Sequence, residues 1–189
     1  MTSGGADKGA AYLPALRFDW LTRFYDPILR ATLKEEKFKR RLLEHAGLRA
    51  GHRVLDLGGG TATLTILIKQ ACPEVEAPPF GPASFDRVVS SLVFHHLTTD
   101  RQRRTLEQAR ALLSPGGELH VADWGQAGDL LMRAASLGVQ LLDGFETTSD
   151  NVRGRLLSMM RDAGFVSVAE THRERTMLGT LSLYRAMRP

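Results

Sequence analysis

The sequence predicts an α/β fold whose parallel sheet binds a ligand at the carboxyl ends of its strands. Val54, Leu55 and Leu57 form a short apolar run typical of a buried parallel strand. Three glycines, Gly58 to Gly60, follow directly, and a helical pattern opens at about Thr61. Strand, glycine turn and helix in this order bring a ligand close to bare backbone at a helix N-terminus.

The glycine turn narrows the class of ligand. Gly58 and Gly60 fit the first two positions of the dinucleotide fingerprint, but its third position is Thr63, which is larger than that motif favours. No lysine follows the glycines, which excludes a phosphate-binding P-loop. What is left is apolar-apolar-Asp-apolar-Gly-x-Gly-Thr, with Asp56 near the carboxyl end of the strand. The alternative is a plain βα turn whose glycines coincide by accident.

The remaining elements alternate as expected for such a fold. A helix is predicted over residues 34–46 and ends at Gly47, which suits the left-handed position after a helix. Prolines between residues 73 and 82 exclude a regular central strand there. A strand follows over 86–92, and Thr99 with Gln102 resembles a capping box that starts the next helix.

The C-terminal half continues the pattern. Residues 114–117, Ser-Pro-Gly-Gly, predict a turn. The further predictions are a strand over 118–124, a helix over 129–142, a helix from about 150 to 163, and two strands over 165–170 and 178–186. We expect these last two strands to be antiparallel neighbours.

Length and composition predict one soluble domain. The chain has 189 residues, 43% of them hydrophobic and 24% charged, which is ordinary for a globular protein. We expect a helical cap over residues 1–50 and an α/β core over 51–189. The net charge of +4 is mild, and acidic residues interrupt the basic clusters at 34–41 and 101–104. Solvated helix faces explain these clusters better than a nucleic-acid surface.

The sequence also indicates a compartment. It has one cysteine, Cys72, which excludes an internal disulfide and fits a reducing cytoplasm. The first residues contain no apolar segment of the kind a signal peptide needs. No apolar stretch approaches the roughly 18 residues of a membrane span. We therefore expect a cytoplasmic protein.

Three ordered stretches together resemble one family. Residues 55–61, Leu-Asp-Leu-Gly-Gly-Gly-Thr, are similar to motif I of the class I S-adenosylmethionine (SAM) methyltransferases. Residues 85–97 resemble their fourth strand, and 113–119 the turn into their fifth. The resemblance covers nearly the whole chain and is close to the small-molecule branch that includes ubiquinone and menaquinone C-methyltransferases.

The resemblance implies a Rossmann-like sheet, SAM as cofactor and methyl transfer to a small-molecule acceptor. It places the methionine part of SAM against the turn formed by Gly58, Gly59 and Gly60. It places Asp56 near the ammonium group of SAM, and Ser90 and Ser91 beside the methionine moiety. Such enzymes work largely by positioning the reactants, so a dedicated base is not required.

One departure from the family is large. The second strand, its ribose-binding acid, a helix and the third strand have no counterpart, because the chain passes from Glu76 almost directly into the fourth strand. Glu76 is the predicted substitute for the ribose acid. The sheet is expected to lack two strands, which leaves the first strand as an edge that invites association with a second copy. The rival interpretation is an inactive remnant that acts as an interaction module. A nicotinamide oxidoreductase is disfavoured by Thr63.

The histidine pair His95–His96 follows the fourth-strand pattern at the ligand edge. His96 is the candidate catalytic residue, as a base or as a group that orients the acceptor. A structural role, in which the imidazole satisfies loop backbone, is the alternative. Two adjacent histidines are not a metal site without further ligands.

Overall fold

A computed structural model describes residues 35–60, 62–73, 81–126, 155–176 and 179–189. Helices and strands are numbered here within those residues. The helices are α1 (Glu35–Ala46), α2 (Thr63–Ala71), α3 (Thr99–Leu112) and α4 (Leu156–Asp162), with a short 3₁₀ turn at Phe94–His96. The strands are β1 (Val54–Leu57), β2 (Phe85–Ser91), β3 (Leu113–Trp124), β4 (Val166–Thr176) and β5 (Gly179–Met187). The helix predicted over 129–142 lies outside the described residues.

The five strands form one sheet in the order β1-β2-β3-β5-β4. The β1–β2 and β2–β3 pairs are parallel, whereas β5 runs antiparallel to both β3 and β4. This confirms the predicted α/β fold, the shortened sheet with its first strand at an edge, and the antiparallel closing pair. Parallel strands that end together place their carboxyl ends, and the loops that follow, on one rim of the sheet.

Apolar side chains pack on both faces of the sheet. One core joins α1 and α2 to the sheet, through residues such as Phe38, Leu42, Leu64 and Trp124. The other joins α3 and α4 to the opposite face, through residues such as Leu106 and Met160. The two helices that flank β1 in sequence, α1 and α2, therefore pack on the same face of the sheet.

Several predicted boundaries differ from the structure; for example, the strand predicted over 165–170 extends to Thr176. Helix α2 begins at Thr63, because Ala62 before it has a left-handed backbone with φ 60°. The expected capping box does not form: the N-cap of α3 is Thr98, and the Gln102 side chain instead donates to the carbonyls of Phe94 and Leu97. Strand β3 starts at Leu113 rather than at residue 118, because Leu113 pairs with Phe85 across an irregularity in the β2–β3 register.

Among the described helices, none is both long enough and apolar enough to cross a membrane.

Candidate functional site

The glycine turn after β1 has a backbone that favours glycine. Gly58 and Gly60 have φ of +83° and +47°, in the left-handed region that side chains rarely adopt. A Cβ on Gly58 would also lie 2.4 Å from Cγ2 of Val93, which follows β2. The first glycine therefore allows the loops after β1 and β2 to pack directly against each other.

Asp56 is the penultimate residue of β1, just before this turn. Its Oδ2 accepts a hydrogen bond from the Thr65 hydroxyl at 2.6 Å, which ties the strand to the first turn of α2. Burial raises the pKa of Asp56 above its usual range, although the Thr65 hydrogen bond and the charge of Lys39 oppose the shift. The hydrogen bond from Thr65 and the charge of Lys39 do not fully offset the cost of burying this negative charge. A cation bound beside Asp56 would offset the remainder.

A cleft of about 180 Å³ opens at this rim, between the glycine turn and the end of β2. The residues that line it come from four elements and two loops: Lys39, Asp56, Gly58, Gly59, Gly60, Leu64, Ser91 and Leu92. Four of the predicted site residues, Asp56 and the three glycines, thus share one cavity with Ser91. The structure brings together residues that the sequence separates by more than thirty positions.

The two predicted serines differ in their surroundings. Ser90 is fully buried, and its hydroxyl donates to the carbonyl of Leu57 at 3.2 Å, which ties β2 to β1. Ser91 lines the cleft, and its hydroxyl oxygen is buried without a hydrogen-bond partner among the described residues. A buried polar atom without a partner is costly, so Ser91 is the serine that a ligand in the cleft would satisfy.

The predicted ribose-binding residue, Glu76, lies outside the described residues.

The end of β3 contributes a buried carboxylate to the same rim. Asp123 is fully buried, and its oxygens accept backbone N–H groups from Phe94 at 2.8 Å and Trp124 at 2.7 Å. Its Oδ1 also lies 2.8 Å from Nδ1 of His95. Burial alone would raise the pKa of Asp123, but His95 and these hydrogen bonds hold it below its usual range. Asp123 therefore holds the 3₁₀ turn after β2 in place.

The two histidines of that turn have different environments. His95 is 3% exposed, and its ring is bonded to the Asp123 carboxylate rather than to loop backbone, which gives it a structural role. His96 is exposed, and its ring centroid lies 3.9 Å from that of His95. Desolvation and the neighbouring His95 lower the pKa of His96, so its imidazole is neutral at pH 7. Only His96 of the pair is accessible to a substrate.

Sequence reasoning missed Lys39 and Thr65. Lys39 lies in a mixed run of charges that was interpreted as a solvated helix face, yet it is 8% exposed and lines the cleft. Its position between buried Phe38 and Leu42 on α1 was the available signal, because that spacing turns Lys39 toward the sheet. Thr65 had no signal, since its contact with Asp56 depends on the geometry of the turn.

The fold and the cleft define a Rossmann-like α/β protein with a cavity at the carboxyl ends of its parallel strands. Comparison with known proteins indicates the class to which this fold is similar. Residues 41–121 match the family model described as a methyltransferase domain. An uncharacterized methyltransferase from Bacillus licheniformis is 25% identical over 149 residues, which are 61% of this chain and 68% of that protein.

Solved structures share the fold. A SAM-dependent methyltransferase from Thermotoga maritima superposes with a TM-score of 0.64 at 15% identity, over 90% of this chain and 97% of that one. The SAM-dependent methyltransferase SibL superposes with a TM-score of 0.61 at 20% identity, over 89% of this chain. The chain spans 57% of the length of SibL.

The match over residues 41–121 and the shared fold together support a methyltransferase domain with the class I SAM-dependent fold. S-adenosylmethionine, the cofactor that the resemblance of motif I implied, is also the cofactor named for these two structural neighbours. The resemblance to the ubiquinone and menaquinone branch remains a prediction.

Proposed function

We propose that this protein methylates a small molecule in the cytoplasm. The observation that carries the proposal is the cleft in which Asp56, the glycine turn and Ser91 converge, where the Ser91 hydroxyl has no hydrogen-bond partner among the described residues. A carboxylate, bare backbone and an unsatisfied hydroxyl are what a polar, positively charged ligand group would engage. The single cysteine supports a reducing compartment.

The residues present fit the amino-acid end of the cofactor. Asp56 would accept the ammonium group, the backbone of Gly58 and Gly60 would lie against the methionine moiety, and Ser91 would offer its hydroxyl. When bound, SAM supplies an electrophilic methyl group. The contribution of the chain is then to orient the two reactants and to exclude water from between them. Glu76 stays the proposed ribose contact.

The acceptor is proposed to enter from the side of His96. The imidazole of His96 is exposed and neutral. His96 lies three residues after Val93, whose side chain packs close to Gly58 in the glycine turn. A neutral imidazole in this place would accept a hydrogen bond from an O–H or N–H group and so orient the acceptor. Turnover that is unchanged in His96→Ala would give His96 a structural role instead. The rival interpretation, an inactive remnant that serves as an interaction module, is not favoured by the family match.

The test is binding of S-adenosylhomocysteine to the whole chain by calorimetry. We expect Asp56→Asn to weaken binding by about 10- to 150-fold, the range for one charge-assisted hydrogen bond. Binding should also weaken on acidification, because only the ionised carboxylate attracts the ammonium group. Since the pKa of Asp56 is raised, this loss should begin at a higher pH than for an ordinary carboxyl.

The matched control is Asp100→Asn, which makes the same chemical change at an exposed position in the first turn of α3. It should leave binding unchanged. A folded protein that binds no S-adenosylhomocysteine at millimolar concentration would contradict the proposed function.

A further inference from the structure

Helix α1 directs one cation into the cleft. Its apolar face, which includes Phe38 and Leu42, is buried against the sheet. Lys39 lies on the same side of the helix and is 8% exposed. Its charged neighbours face outward: Lys37 pairs with Glu174 at 3.0 Å, and Arg40 pairs with Glu36 at 2.7 Å. Among these three cations, Lys39 is the one that reaches the cleft.

Lys39 and Asp56 give the cleft two opposite charges. They come from α1 and from the end of β1, so they enter the cavity from different elements. Their charges interact, since Lys39 opposes the rise in the pKa of Asp56. A ligand group with a carboxylate and an ammonium on one carbon complements such a pair, because each of its charges meets the opposite one.

We propose that Lys39 binds the carboxylate of the cofactor's amino-acid group while Asp56 binds its ammonium. This assignment rests on the proposed function. It extends the site to a residue that precedes the family match, which begins at residue 41. The consequence is selectivity: the cleft recognises a nucleoside that carries a complete α-amino acid and discriminates against the same nucleoside without the carboxylate.

The test compares two ligands that differ only in that carboxylate, S-adenosylhomocysteine and its decarboxylated analogue. Calorimetry on the wild-type chain should show about 10- to 150-fold tighter binding of S-adenosylhomocysteine. Lys39→Met keeps the length of the side chain and removes its charge, so the preference should disappear, with weaker binding of S-adenosylhomocysteine and little change for the analogue. Lys39→Arg should retain part of the preference.

Lys37→Met is the matched control, because it removes a lysine charge from the exposed face of the same helix. It should leave both affinities unchanged. Equal weakening of both ligands by Lys39→Met would overturn the assignment and make Lys39 a residue that shapes the cleft.

Equal binding of both ligands by the wild-type protein would also overturn the assignment. This comparison needs no variant, so it applies even if Lys39→Met does not fold. Wild-type protein that is folded and binds neither ligand would overturn the proposed function, and the assignment with it.

Discussion

His120 shows how burial sets the properties of a single residue. It lies in β3, its side chain is 1% exposed, and its Nε2 lies 2.9 Å from Glu118 Oε2. Arg185 also donates to Glu118. Desolvation lowers the pKa of His120 from 6.5 to about 4, although the negative charge of Glu118 opposes the shift. The imidazole is therefore neutral in the folded protein over a range in which it is protonated in the unfolded chain.

This difference predicts acid sensitivity. Between pH 4 and 6.5 the unfolded state binds a proton at His120 that the folded state does not, so the free energy of unfolding falls as the pH falls through this window. The shift corresponds to about 3 kcal/mol. We expect His120→Gln to lower stability at neutral pH and to flatten this dependence, measured by urea denaturation at several pH values.

His45→Gln is the control, because His45 is exposed on α1. Its stability should depend on pH as in the wild type. If His120→Gln and the wild type lost the same stability on acidification, His120 would not be the group responsible.

At the scale of the helices and strands, the start of α2 carries backbone strain. Ala62, its N-cap residue, has φ 60° and ψ 9° and makes no side-chain capping bond. The left-handed conformation costs an L-residue roughly 1–2 kcal/mol, whereas glycine adopts it freely. The chain therefore has alanine where the backbone favours glycine.

Ala62→Gly should stabilise the protein by about 0.5–1 kcal/mol, which is the relief of strain less the larger entropy that glycine loses on folding. Denaturant unfolding of the variant measures the gain. Ala62 is exposed, so no core contact is lost.

The comparison variant is Ala111→Gly, also at an exposed position, but in the last helical turn of α3. There glycine should destabilise the protein. A loss of stability in both variants would mean that Ala62 is not strained.

At the scale of the whole molecule, one edge of the sheet is formed by the short parallel strand β1. Within the described residues, β1 pairs with β2 alone, so one side of its backbone has no strand beside it. A groove of about 520 Å³ runs along this edge, between β1 and α3, and Leu55, Leu57, Ala109, Ala111 and Leu112 contribute to its lining. Because an unpaired edge favours pairing with another chain, we expect two copies to associate here.

Ala111→Arg should weaken this association, because it places a charge at the exposed rim of the groove. The mass in solution, measured by sedimentation from micromolar to near-millimolar concentration, reports the change. Glu107→Gln alters the net charge by the same amount on α3 outside the groove lining, and it should leave the mass unchanged. A wild-type chain that stays monomeric throughout would exclude association by this edge.

The sequence by itself determined the class of the fold and the segment of the candidate site that contains Asp56 and the three glycines. Asp56 and the glycines are neighbours in the chain, and the alternation of apolar runs with turns specifies which strand precedes which helix. Such information is local, since it depends on the backbone preferences of single residues and on the spacing of apolar residues along the chain. The sequence also predicted the absence of the family's second and third strands, because the residues between α2 and β2 are too few to form them.

Tertiary structure decided the rest. Lys39 lines the cleft because α1 packs its apolar face on the sheet. Asp123 contacts His95 because β3 lies beside β2. Ser90 and Ser91 are adjacent in sequence, yet alternation along a strand turns one toward Leu57 and the other toward the cleft. These contacts join residues distant in the chain, and the register and packing of whole elements, rather than any local preference, bring them together.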